Sequence, residues 1–114
     1  VNPDKPNGVK LETFVFDALP MAKKSIILET LRSEEFAPVK NATGVDSAEV
    51  TYQMMIDRAA SWLEAAGVKV PRKTDGRPDC VLEMAPSFAL FKADVQAKAS
   101  SVPPIRSGDT VYLG

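Results

Sequence analysis

The stretch between Gly44 and Gly67 has almost no choice of conformation. Ala48, Tyr52, Met55, Ile56, Ala59, Trp62, Leu63 and Ala66 recur at steps of three and four, which puts them on one face of a helix, while Glu49, Gln53, Asp57 and Glu64 fall roughly opposite. Asp46 with Glu49 three residues later has the form of a capping box, and Gly67 sits where a helix end needs a left-handed residue. A long amphipathic helix is therefore predicted, with Trp62 and Leu63 in the middle of its apolar stripe and so in the core. Val50 and Met54 break the polar side. They are candidates for contact with a neighbouring domain, the plainer alternative being two scattered exposed apolar residues.

The rest of the chain is arranged around that helix. Residues 1–8 are rich in Pro and Asn and end on the turn dipeptide Asn7-Gly8, the pattern of a linker entering a folded segment of something longer. Leu11, Phe14, Val15, Ala18 and Ala22 keep helical spacing, but Pro20 lacks an N–H and predicts a short helix that ends or kinks there. Residues 25–32 are apolar on both alternating faces through Ile26, Ile27 and Leu28, which suits a strand buried in a mixed sheet; a helix over 23–36 is the competing reading. Past Gly67 come a polar turn cluster over 71–78 and the short apolar runs Cys80-Val81-Leu82-Glu83-Met84, Phe88-Ala89-Leu90-Phe91 and Thr110-Val111-Tyr112-Leu113, read as a small β-rich tail.

Composition narrows the function classes. With 14 Lys+Arg against 15 Asp+Glu in 114 residues, no long-range field attracts nucleic acid, so a phosphate ligand would be met by individually placed cations. No run reaches the ~18 apolar residues of a membrane span. The single Cys80 can form no internal disulfide and fits a reducing, cytoplasmic setting. There are no histidines. Any chemistry must then use electrostatics, positioning and carboxylates rather than a His-based nucleophile pair or metal site.

Two segments carry the functional signal: Asn7-Gly8-Val9-Lys10-Leu11-Glu12-Thr13-Phe14-Val15-Phe16-Asp17 and, further on, Phe36-Ala37-Pro38-Val39-Lys40-Asn41-Ala42. Together they closely resemble the C-terminal part of eukaryotic UDP-N-acetylglucosamine pyrophosphorylases (UDP-N-acetylhexosamine uridylyltransferases), with their N-G-[IV]-K-x-E-x-F-V-F-D and F-[SA]-P-[LV]-K-N-A segments. The resemblance implies that Lys10 approaches the triphosphate and pyrophosphate, that Lys40 contacts the sugar-linked phosphate, and that Phe14 and Phe16 wall the sugar and its acyl group. On a helix Phe16 would be turned by about 200° from Phe14, away from the apolar stripe and toward a pocket. Asp17 is either a buried partner for a backbone amide, the favoured reading, or a group orienting Lys10.

The resemblance implies an α/β fold: residues 1–70 as the C-terminal portion of a doubly wound nucleotidyltransferase-type domain, with a helix, a buried strand and a long amphipathic helix, and 71–114 as a small β-rich subdomain. Its implied partners are UTP, N-acetylglucosamine 1-phosphate, UDP-N-acetylglucosamine and the N-terminal part of the same enzyme. The match is close to about Ala42 and fades beyond Gly67, where only Glu83-Met84-Ala85-Pro86-Ser87 echoes the family's E-[IV]-S-P-L stretch. The family's glycine-rich G-G-x-G-T-R-L-G signature and metal-holding acid are missing, so Mg2+ would be held by the missing part and the substrate phosphates. On this reading the chain by itself has no turnover. A UDP-glucose or broad-specificity UDP-sugar pyrophosphorylase, and a non-catalytic interaction module, are the alternatives.

Overall fold

A computed structural model describes residues 8–114. The predicted linker therefore lies, Gly8 apart, outside the described residues. The expected long helix is present as α2 (Ala48–Ala65), preceded by the single turn α1 (Arg32–Glu35). After it come β1 (Val81–Met84), α3 (Lys92–Lys98) and β2 (Thr110–Leu113). The fold class is mixed α/β, and among the described residues no helix is long and apolar enough to cross a membrane.

Gly67 ends α2 as predicted. At φ +83° it lets its own N–H reach the Glu64 carbonyl at 2.9 Å and the Val68 N–H reach Leu63 at 3.0 Å, closing two orphan carbonyls of the last turn. The helix start differs from the reading above. Ser47, not Asp46, is the N-cap, and its hydroxyl accepts from the Val50 N–H at 3.4 Å. Asp46 stands one residue earlier in the left-handed region (φ 57°), with its carbonyl accepting from Lys40 and Asn41 instead.

α2 packs its C-terminal half on a β–α–β unit. β1 and β2 pair in parallel, Val81 opposite Thr110 through Met84 opposite Leu113, and a parallel pair needs a crossover, here made through α3. Ile56, Ala59, Ala60, Trp62 and Leu63 bury against Leu82, Leu113, Val95, Phe88 and Ala89. Trp62 (7% exposed) and Leu63 (0%) are core, as expected. Tyr52 and Met55 of the predicted stripe stay exposed, Met55 beside a small groove bordered by Leu82, Glu83 and Met84 of β1.

Two local expectations, both of strands, fail for identifiable reasons. Phe88 and Ala89 are buried, but the Phe88–Phe91 run forms a turn rather than a strand and leads into α3, which the sequence reading missed. Ala93, Gln96 and Ala97, good helix formers in a segment with Asp94 in its first turn and Lys98 in its last, were the available signal. The predicted strand over 25–32 does not form: Ile26 and Ile27 are 95% and 99% exposed, and the described residues place no second strand beside them, without which a ladder has no partner for its N–H and C=O groups. The competing helix over 23–36 shrinks to α1. The predicted helix near Pro20 becomes the 3₁₀ segment Val15–Met21, which contains the proline and ends just after it.

Two measurements follow. Trp62→Ala should lower the unfolding free energy of the chain by about 3–5 kcal/mol, because it empties the middle of the core; urea denaturation checks this, and a loss under about 1 kcal/mol would mean the indole is not packed. The second concerns Asp94, whose carboxylate accepts from the Phe91 and Leu90 N–H groups at 2.8 and 2.9 Å, and these bonds hold its pKa below the usual value. A depressed folded-state pKa stabilises above the unfolded value, about 4, and that contribution is lost as pH falls through the folded value. Asp94→Ala should therefore destabilise the chain at pH 7, and the gap to the parent should narrow below about pH 4 in denaturation series at both pH values.

Candidate functional site

Lys40 sits on a loop whose backbone is fastened to the residues leading into α2. The Lys40 N–H donates to the Asp46 carbonyl at 2.7 Å and the Asn41 N–H to the same oxygen at 3.1 Å, while the Asn41 side-chain amide donates to Val45 at 2.7 Å. Gly44 (φ +75°) makes the reversal that brings Asp46 back to Lys40. Just upstream, Thr51 of α2 donates its hydroxyl to the Pro38 carbonyl at 2.9 Å. The loop is thus held on both sides of Lys40, whose side chain is exposed and makes no ion pair among the described residues. A fixed backbone with a mobile ammonium above it suits a group that must meet a phosphate.

Farther back, the chain leading to this loop is fastened to α2 by three groups. Trp62 Nε1 donates to Glu34 Oε2 at 3.0 Å, Arg58 Nη1 donates to the Glu34 carbonyl at 3.0 Å, and the Arg58 guanidinium lies 4.6 Å from the Trp62 ring centroid. Residues 34–38 consequently run antiparallel to α2. Between them lies a groove of about 230 Å³ lined by Glu34, Phe36, Ala37, Met54 and Arg58. Val50 and Met54 face this segment: they line a second groove with Phe36 and Pro38, so the chain itself supplies their neighbours.

The other candidates stand apart. Lys10 pairs with Glu12 at 2.7 Å, its side chain 81% exposed. Phe14 and Phe16 stack on one another with centroids 5.4 Å apart and an interplanar angle of 21°. This corrects the expectation that the two rings diverge. Phe14 has extended backbone (φ −101°, ψ 153°) and precedes the 3₁₀ segment, so the 100° per residue of an α-helix does not apply between them. Asp17 accepts from the Phe14 N–H at 2.8 Å, so it is the amide partner expected, but it is exposed rather than buried. No hydrogen bond, ion pair or ring contact among the described residues joins this group to Lys40. The sequence reading missed Glu34, Arg58 and Thr51, each polar and unremarkable in isolation and meaningful only once paired across the fold.

Among the described residues no group of three or more Asp, Glu or Cys is arranged to hold a metal ion. Cys80 is buried, and burial pushes its thiol pKa up, so it stays protonated at neutral pH.

Comparison with known proteins gives the site a context. No family model matches, and no solved structure matches. Among curated proteins, the chain is 37% identical over 92 residues to a probable UDP-N-acetylglucosamine pyrophosphorylase of Dictyostelium discoideum, covering 78% of the chain and 18% of that protein. It is 42% identical over 72 residues to a probable UDP-N-acetylglucosamine pyrophosphorylase of Caenorhabditis elegans, covering 61% and 15%. A UDP-N-acetylhexosamine pyrophosphorylase-like protein 1 of Homo sapiens is 38% identical over 100 residues, covering 75% and 20%. The chain spans about a fifth or less of the length of these relatives. In sequence, this chain resembles one segment of the UDP-N-acetylglucosamine and UDP-N-acetylhexosamine pyrophosphorylases.

Proposed function

We propose that the chain is part of an enzyme that joins UTP and N-acetylglucosamine 1-phosphate into UDP-N-acetylglucosamine and pyrophosphate, and that it supplies Lys10 and Lys40 to the phosphates and Phe14 and Phe16 to the sugar. The observation that carries this reading is the similarity, over about three quarters of the chain, to a probable UDP-N-acetylglucosamine pyrophosphorylase and a UDP-N-acetylhexosamine pyrophosphorylase-like protein. In this reading residues 1–70 complete a doubly wound nucleotidyltransferase domain, residues 71–114 form a C-terminal subdomain, and the remaining polypeptide contributes the nucleotide site in a cytoplasmic enzyme.

The chemistry asks for cations in fixed places. A sugar-phosphate oxygen attacks the α-phosphorus of UTP as the bond to the departing pyrophosphate breaks, and negative charge spreads over the equatorial and leaving oxygens. In this reading Lys40 holds the attacking phosphate, which its loop, tied at Asp46 and Thr51, supports. Lys10 meets the polyphosphate: its pair with Glu12 is a solvent-exposed bridge worth at most about 1 kcal/mol, which a multiply charged phosphate can displace. Phe14 and Phe16 present an exposed stacked pair, an apolar wall of the kind an N-acetyl group can pack against. Mg2+ is assigned to the substrate phosphates and to the remainder of the enzyme.

Lys40→Ala in the full-length enzyme should lower kcat/KM for the sugar phosphate tenfold or more, about 1.4 kcal/mol of transition-state stabilisation; an unchanged value in steady-state assays removes Lys40 from the site. Lys10→Ala should slow transfer with every sugar phosphate alike, whereas a conservative change at Phe16 should alter the preference between N-acetylated and unacetylated sugars. If Phe16 variants lose stability and keep the parent's sugar preference, the aromatic-wall assignment fails.

A further inference from the structure

We propose that Glu34 is a positioning residue: by accepting the Trp62 N–H and engaging Arg58, it fixes the segment that carries Lys40, and so sets where the Lys40 ammonium meets the sugar-linked phosphate. The inference rests on the reading of Lys40 given above and adds a residue that neither motif singles out.

The geometry leads from the core to Lys40 in one step of packing. Trp62 is held by its ring among buried side chains, so its Nε1–H is a donor at a fixed point of the structure rather than on a mobile surface arm. Its acceptor is the Glu34 carboxylate, at 3.0 Å. Arg58, one turn earlier on α2, takes the Glu34 carbonyl, so both the side chain and the backbone of this one residue are fastened to the helix. From there the chain is unbranched through Phe36 and Ala37 to the Thr51–Pro38 hydrogen bond and then to the Asp46 carbonyl, which holds the Lys40 N–H. Three tethers at Trp62/Arg58, Thr51 and Asp46 give residues 34–40 a single track along α2.

The tethers are unequal. Lys40 is held backbone to backbone and Pro38 by the neutral hydroxyl of Thr51, whereas the Glu34 tether uses a charged acceptor on an indole N–H, a charge-assisted bond roughly twice as strong as a neutral one. Removing the carboxylate leaves the upstream end of the track held only by the Arg58 bond to the Glu34 carbonyl, and the phosphate-binding ammonium then samples more positions. A small displacement of a binding group costs rate without removing the group, since misplacement by about 1 Å can cost as much as two orders of magnitude.

Three variants of the full-length enzyme test this: Glu34→Ala, Glu34→Gln, and Glu34→Ala combined with Lys40→Ala. Gln keeps a side-chain oxygen for Trp62 and should stay within about twofold of the parent. Glu34→Ala should lower kcat/KM for the sugar phosphate by about three- to tenfold while KM for UTP is unchanged, and the double variant should be no slower than Lys40→Ala alone, since a residue acting through Lys40 loses nothing further once Lys40 is gone. Independent losses that multiply in the double variant, a Glu34→Ala enzyme as fast as the parent, or a Gln variant as slow as Ala would each overturn the inference. If Lys40→Ala itself has no effect, the functional reading fails first, and the two failures are thereby told apart. In the chain by itself Trp62 is the only tryptophan, so its emission maximum should shift in Glu34→Ala and return in Glu34→Gln; an unshifted maximum in Glu34→Ala would likewise count against the bond.

Discussion

Trp62 connects the two halves of this structure. Its ring is packed in the core that α2 shares with the sheet and α3, and its N–H leaves that core to hold Glu34. A largely buried indole whose N–H had no partner would forfeit a hydrogen bond, which costs up to about 1–3 kcal/mol. Glu34 removes that cost and in return acquires a fixed position. The order of residues 34–40 thus derives from a core interaction, although none of residues 34–40 is itself buried.

α2 serves two surfaces that do not compete. Its C-terminal half carries Ile56, Ala59, Ala60 and Leu63 into the core, and its Thr51, Arg58 and Trp62 present polar groups to the segment before it. The burial provides most of the stability, roughly 1.5–3 kcal/mol for each large apolar side chain fully removed from water. The polar groups add little to that total and determine geometry instead. Glu64, at the far end of α2, does the same for the turn after Gly67, where Arg72 grips it through Nε and Nη2 at 2.9 and 2.6 Å.

The segment over residues 8–33 contrasts with this. Each of its residues is exposed, including Leu11, Val15, Ile26, Ile27 and Leu28, and the radius of gyration, 19.6 Å, far exceeds the roughly 13 Å of a compact domain of about 100 residues. Sequence patterning that demands burial on both faces, met by a structure that provides none, is a local–global conflict of the kind that marks interaction surfaces. Under the proposed function the rest of the enzyme would cover this segment, and Lys10 with the Phe14/Phe16 stack would lie against it.

Helix α2, the left-handed Gly67 and the burial of Trp62 and Leu63 were all legible in the order of residues, because a 3.6-residue period and a glycine after it act within a few residues of chain. The two motifs marked Lys10 and Lys40 by their neighbours in sequence. What the sequence could not determine were interactions between distant positions: whether residues 25–32 find a strand to pair with, whether Phe14 and Phe16 diverge or stack, and which polar residues meet across the fold. Glu34 and Trp62 are 28 residues apart, and nothing local to either marks the other as its partner. That pairing exists only because core packing sets the position of α2 and the loop after Phe36 returns along it; periodicity determines which face of a helix is apolar, and only the packed tertiary structure decides what the remaining faces hold.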